Sequence, residues 1–341
     1  MSDTPNSKGL WWKIALPIII GLGVVIWLFN SEFNAESISE IRFTPRVWLC
    51  IGLALIAVVG RDGGMAWRFR ILTDGDLKWS RAVNVTLLCE FTSAVTPSSV
   101  GGSALSMFFL KREGIKMGRA TTLTMTILFL DELFFVISTP IVFLLIPYQD
   151  LFGFGSKDFI EGVQIAFWIF YSLIVLWTAV LFTGIVLRPA WIRSMLIKLF
   201  SIKILRRWKN SVTEFADNMQ ATSLSIRKRS FGWWLRGFAA TSLSWISRYL
   251  VVNALILGFV AGAPQAVVFC RQIVIWTLLM FSPTPGGSGV SEWLFRGYYG
   301  DIIVSGGIVM ILALLWRLLT YYLYLAVGVI LLPSFIRKKK K

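Results

Sequence analysis

Nine ionisable side chains stand inside stretches of this sequence that are otherwise apolar: Arg61, Asp62, Glu90, Asp131, Glu132, Arg248, Arg271, Glu292 and Arg317. A charge at bilayer depth is costly and needs a partner or a task. Arg248, Arg271 and Arg317 are the most suggestive set, because a guanidinium fork binds phosphate bidentately. Two Pro/Gly breaks, "TPSSVGG" (Thr96 to Gly102) and "TPGGSGV" (Thr284 to Val290), each open a half-helix after Pro97 or Pro285. Half-helix N-termini add backbone N–H donors and positive dipole ends. Together these groups suit an anionic headgroup, phosphate in particular. The competing arrangement pairs the same arginines with Glu90, Asp131, Glu132 and Glu292 as fixed salt bridges. Both hold if a substrate exchanges partners. Arg61 and Asp62, in "GRDGG", read either as a local pair at a glycine kink or as functional groups.

The elements that position these residues are membrane spans. The chain of 341 residues is 56% hydrophobic and 15% charged, with mean hydropathy +0.70, the profile of an all-α polytopic membrane protein. Its formal charge of +16 would suggest nucleic acid in a soluble chain. Here the basic residues flank apolar spans and set topology instead. There is no histidine, which removes the commonest general base and metal ligand. Cys50, Cys89 and Cys270 lie in apolar stretches without CxxC pairing, as core thiols would. No metal or other cofactor is expected.

Windows long enough to cross a bilayer fall at about 12–29, 47–70, 120–147, 163–187, 237–260 and 303–332. The first is expected to be an uncleaved helix rather than a signal peptide, since no small-residue cleavage motif follows Phe29. Two more stretches, about 82–110 and 265–299, are apolar but broken in the middle. With both termini in the cytoplasm, 26 of the 34 basic residues face inward, including four at 68–81 and eleven at 188–236. This works only if each broken stretch enters and leaves on one face. Both are therefore expected to be re-entrant hairpins, the first opening to the cytoplasm and the second to the outside. The order span, span, hairpin, span then occurs twice, at about 12–147 and 163–332, with opposite orientation. Inverted repeats with broken helices at matching positions mark many secondary transporters, whose substrate sites lie where the breaks meet.

Between the repeats, about 188–236 forms a basic cytoplasmic segment. Trp191, Ile192, Leu196, Leu199, Leu205 and Trp208 sit near helical spacing with arginines and lysines between them. That pattern suits an amphipathic helix on the anionic inner leaflet, and the terminal "RKKKK" favours the same surface.

The blocks "TPSSVGG…FFLKREG", "ILFLDELFFV", "LSWISRYLVVNALILG", "SPTPGGSGVSEWLF" and "LLWRLLTYYLYLAVGVIL" resemble the lysylphosphatidylglycerol synthase transmembrane-region family, over nearly the whole chain. The resemblance implies a flippase-like single domain over 1–341 that moves an amphipathic lipid between leaflets. Carried over by position, its motif residues are Pro97, Gly101, Gly102, Arg248, Pro285, Gly286, Gly287, Gly289, Glu292 and Arg317. Many relatives carry an acidic and then a basic residue after the first GG, where this chain has Ser103 and Ser106. Glu90 is the candidate replacement for the acid. No aminoacyltransferase domain follows residue 341, so lysyl-lipid synthesis is not expected.

The leading expectation is a non-enzymatic lipid transporter of the cell (inner) membrane. Its substrate would be an anionic phospholipid or polyprenyl-phosphate, handled by Glu90, Thr96, Asp131, Glu132, Arg271, Thr284 and the motif residues above. Partners would be that lipid and inner-leaflet anionic lipids, with homo-oligomerisation open and no nucleic acid. The alternative is an intramembrane enzyme or non-transporting subunit in lipid modification. Asp131, Glu132 and Glu292 could supply acid–base chemistry, against the missing histidine and the lack of a DxD-like motif.

Overall fold

The computed structural model describes residues 43–96, 101–152, 157–201 and 209–337. All regular secondary structure among them is helical, in agreement with an all-α polytopic membrane protein. In chain order the helices are α1 (Pro45–Leu72), α2 (Trp79–Val95), α3 (Gly101–Arg112), α4 (Met117–Leu145), the single turn α5 (Tyr148–Leu151) and α6 (Lys157–Phe182). They continue with α7 (Pro189–Leu199), α8 (Lys209–Arg227), α9 (Phe231–Phe259), α10 (Gln265–Leu279), α11 (Val290–Tyr299), α12 (Gly306–Arg317) and α13 (Leu323–Arg337). A π-helical turn, Thr183–Leu187, extends α6, and another, Leu318–Tyr322, joins α12 to α13.

Five helical stretches among the described residues are long and apolar enough to cross a membrane: Pro45–Leu72, Met117–Leu145, Ile160–Leu187, Phe231–Phe259 and Gly306–Phe335. They coincide with five of the expected spans. The remaining one, 12–29, lies outside the described residues. At both expected breaks a helix stops and a second begins within ten residues or so: α2 before α3, and α10 before α11.

Local chemistry sets the ends. The Thr44 hydroxyl accepts from Val47 N (3.4 Å) ahead of Pro45, which suits a first helical position because its missing N–H is unneeded there. The Ser230 hydroxyl likewise accepts from Trp233 N (3.3 Å) at the start of α9.

The helix pair α1/α9 forms the centre of the molecule, and small residues make its seam. A Cβ added at Gly64 would strike the Ala240 carbonyl and the Ser244 backbone, and one at Gly60 would strike the Ser247 hydroxyl. Glycines four apart let two backbones approach closely where lipid offers no hydrophobic drive for association. The helix α1 runs without interruption through "GRDGG", where Gly60 and Gly64 serve the seam. Arg61 and Arg68, two turns apart on α1, are thereby carried into the interior with 0% and 2% exposure. Arg68, counted among the basic residues at 68–81, is buried against the neighbouring helices four residues before α1 ends.

Candidate functional site

Three ion pairs converge in the interior. Arg248 Nη2 on α9 donates to Glu90 Oε1 on α2 at 2.7 Å. Arg68 on α1 pairs with Asp131 on α4. Arg317, closing α12, sits 2.9 Å from Glu292 on α11. A fourth cation joins them, since Arg61 Nη2 lies 3.3 Å from Glu90 Oε2 and Arg61 Nε donates to Asp62. The Tyr324 hydroxyl donates to the other Asp62 oxygen at 2.7 Å. Every carboxylate in this group thus has a cation from another helix or a neighbouring residue, which offsets the cost of burying it.

Aromatic rings fix the guanidiniums in place. Arg248 lies over Trp245 (5.1 Å) and Trp276 (4.8 Å), Arg317 over Tyr321 (4.0 Å) and Arg61 over Tyr324 (4.3 Å). Such contacts strengthen when desolvated. The Trp245 indole also donates to Asp131 at 2.9 Å.

The second break supplies the backbone of the site. Gly286, Gly287 and Gly289 have φ of +55°, +71° and +83°, a region side chains rarely adopt. A Cβ at Gly286 would also overlap the Tyr321 ring. Arg317 holds this turn by donating to Gly286 O and to the Ser288 hydroxyl, both at 3.0 Å. Gly286 N donates to Thr96 O at 3.2 Å. The two breaks, 188 residues apart in sequence, therefore touch.

Between them lies a cavity of about 80 Å3. Arg68, Arg248 and Arg317 line it, as do Glu90 and Asp131. The unpartnered polar atoms of its lining are uneven in kind. Arg68 Nε, Arg248 Nε, Trp276 Nε1, Trp316 Nε1 and the Tyr321 hydroxyl are buried without a hydrogen-bond partner among the described residues. All five can donate. Buried polar groups are normally satisfied, so these residues pack around the cavity with hydrogen-bonding capacity in reserve.

The expected site residues sort by place. Glu90, Asp131, Arg248, Gly286, Gly287 and Arg317 come together around the cavity. Glu292 stands behind Arg317, accepting from Gly289 N (2.7 Å) and the Ser291 hydroxyl (2.8 Å) while capping α11. Thr96 contributes its carbonyl to the contact between breaks. Pro285 O accepts from Ser288 N, and the Thr284 hydroxyl is 3.0 Å from that of Ser282, so both shape the turn. Gly102 packs α3 on α2, where a Cβ would strike the Cys89 carbonyl. Gly101 opens α3, and Pro97 lies outside the described residues. Ser106 shares a 2.7 Å hydrogen bond with Thr124.

Arg271 and Glu132 lie apart from this cavity. Arg271 is spent elsewhere, bidentate to Asp301 at 2.7 Å on both arms and donating to the carbonyls of Asp150 and Tyr298. It ties α10 to the end of α11, where its donors have no room for a ligand. Glu132 points into a different cavity. Conversely, Arg68 and the aromatic lining escaped the sequence reading. The one sequence signal for Arg68, its spacing of two helical turns from Arg61, does not separate it from a topology charge at a span end.

The family model for the lysylphosphatidylglycerol synthase transmembrane region matches residues 14–328. A UPF0104 membrane protein of Archaeoglobus fulgidus is 20% identical over 327 residues, covering 95% of this chain and 97% of the relative. No solved structure matches the chain significantly.

Proposed function

Because this chain belongs to the lysylphosphatidylglycerol synthase transmembrane-region family, we propose that it moves an anionic, phosphate-bearing lipid between leaflets, without chemical change, through the cavity where its two breaks meet. The observation that carries this reading is the convergence of Arg68, Arg248 and Arg317 on one cavity between the breaks. A phosphate is small, anionic and rich in acceptors, so it suits a cavity lined by three guanidiniums.

The resting ion pairs supply the exchange step. Each cavity arginine is held by a carboxylate, and a guanidinium has five N–H donors in a fixed fork. A phosphate entering beside Glu90 and Asp131 takes donors that the carboxylates leave free. The Trp245 and Trp276 faces keep Arg248 in place during the exchange. A cavity of about 80 Å3 holds a headgroup fragment and not a whole lipid. Passage therefore requires the breaks to part at the Gly286–Thr96 contact, first toward one leaflet and then the other. An inverted arrangement of two hairpins, with both termini in the cytoplasm of a cell membrane, provides the two exits.

The α7 helix fits the inner-leaflet side of this scheme. Trp191, Met195 and Leu199 recur every four residues and are 46%, 49% and 45% exposed, beside Arg193 and Lys198. Such a stripe seats in the headgroup region of an anionic leaflet.

The test is a leaflet-resolved lipid inventory of cells with and without the gene. The expected outcome is an anionic lipid displaced between leaflets at unchanged total amount. Loss of a chemical species would instead make the protein an enzyme.

A further inference from the structure

Consecutive carboxylates on α4 face different surroundings. Asp131 turns to the central cavity, where Arg68 and Trp245 hold it. Glu132 turns away, into a second cavity of about 540 Å3 bounded by α4, the later part of α6 and the segment after α10. Its other lining residues include Leu173, Trp177, Val180, Met280, Phe281 and Ser282. Leu176 and Trp177 on that wall are 63% and 47% exposed on a spanning helix, so the crevice opens sideways to lipid.

Glu132 is only 4% exposed, and its Oε2 is buried with no hydrogen-bond partner among the described residues. Among the described residues no ion pair reaches it there. The ionisable groups on the packed helices are engaged elsewhere. Arg248 on α9 takes Glu90, Arg271 on α10 takes Asp301, and the Tyr171 hydroxyl on α6 donates to Val136 O. Tyr249 on α9 and Cys270 on α10 are neutral groups, and Asp131 adds only like charge. A core position needing no chemistry would carry leucine at this place. An isolated carboxylate among hydrocarbon is neutralised instead of remaining charged.

We propose that Glu132 is a proton-binding site of this protein, held as the carboxylic acid while hydrocarbon fills the crevice and reached from the lipid side. It binds and releases its proton separately from the Arg68–Asp131 pair one residue away. The assignment goes beyond the transport reading and does not rest on it.

The experiment treats purified protein in phosphatidylcholine nanodiscs with dicyclohexylcarbodiimide, an apolar reagent that attacks protonated carboxyls, and maps adducts by mass spectrometry. The expected adduct sits on Glu132, severalfold above Glu90, Asp131 and Glu292, and falls severalfold as pH rises from about 6 to about 10, past the ordinary carboxylate range. An unlabelled Glu132 in folded protein, or labelling equal across that range, would overturn the proposal. E132Q supplies an independent readout, because an amide replaces a neutral acid of the same shape. Its melting temperature at about pH 6 should match wild type, whereas a drop of several degrees would make Glu132 a structural anion. Labelling needs no transport, so failure of the transport reading leaves this result standing.

Discussion

The Glu292 carboxylate serves three groups, the Gly289 N–H, the Ser291 hydroxyl and the Arg317 guanidinium, at 2.7, 2.8 and 2.9 Å. Its role is to hold Arg317 and the glycine turn, and Arg317 in turn faces the cavity. Glu292→Gln keeps the shape and strands a buried guanidinium, which costs about 3–5 kcal/mol when one partner of a buried pair is removed. Denaturant unfolding of the reconstituted protein should show that loss. The double variant Glu292→Gln with Arg317→Gln should lose less than the sum of the singles, as coupled neighbours do. Gly286→Ala tests the turn. It combines strain at φ +55° with overlap on Tyr321, and strain alone costs on the order of 1–3 kcal/mol. Transport should fall at least tenfold with the protein still inserted, read from exchange rate per folded molecule.

At the scale of elements, the seam between α1 and α9 positions the charges. Gly64→Val would wedge α1 from the Ala240 and Ser244 backbone, displacing Arg61 and Arg68 together. It should lower the melting temperature and abolish activity. Gly63→Ala, one residue away with nothing within 4 Å, should be neutral or gain up to about 1 kcal/mol from helix propensity. Equal effects at both positions would remove the seam from the account. The same region shows what a sequence carries and what it hides. Spans, breaks and the Arg248, Glu90, Asp131 and Arg317 candidates were legible, because hydropathy over 18 or so residues and charges at bilayer depth are strong local signals. Arg68 was not, since an arginine near a span end looks like a topology charge until the partner helix is placed. Arg271 misled for the matching reason: its partners Asp301, Asp150 and Tyr298 lie 27 to 121 residues away. Pairing between distant helices is a tertiary fact, and local periodicity is silent on it.

At the scale of the whole molecule, two breaks distant in sequence meet over a cavity lined by Arg68, Arg248 and Arg317. Selectivity should therefore follow headgroup charge and acceptor count more than acyl chain. The deciding measurement reconstitutes wild type and Arg248→Ala in liposomes and follows leaflet exchange of labelled phosphatidic acid, phosphatidylglycerol and phosphatidylcholine. The account predicts that wild type speeds exchange of the two anionic lipids well above protein-free vesicles, and of phosphatidylcholine little. Arg248→Ala should lose most of that gain while staying folded. Exchange that ignores headgroup charge, or that survives loss of Arg248 undiminished, would contradict it.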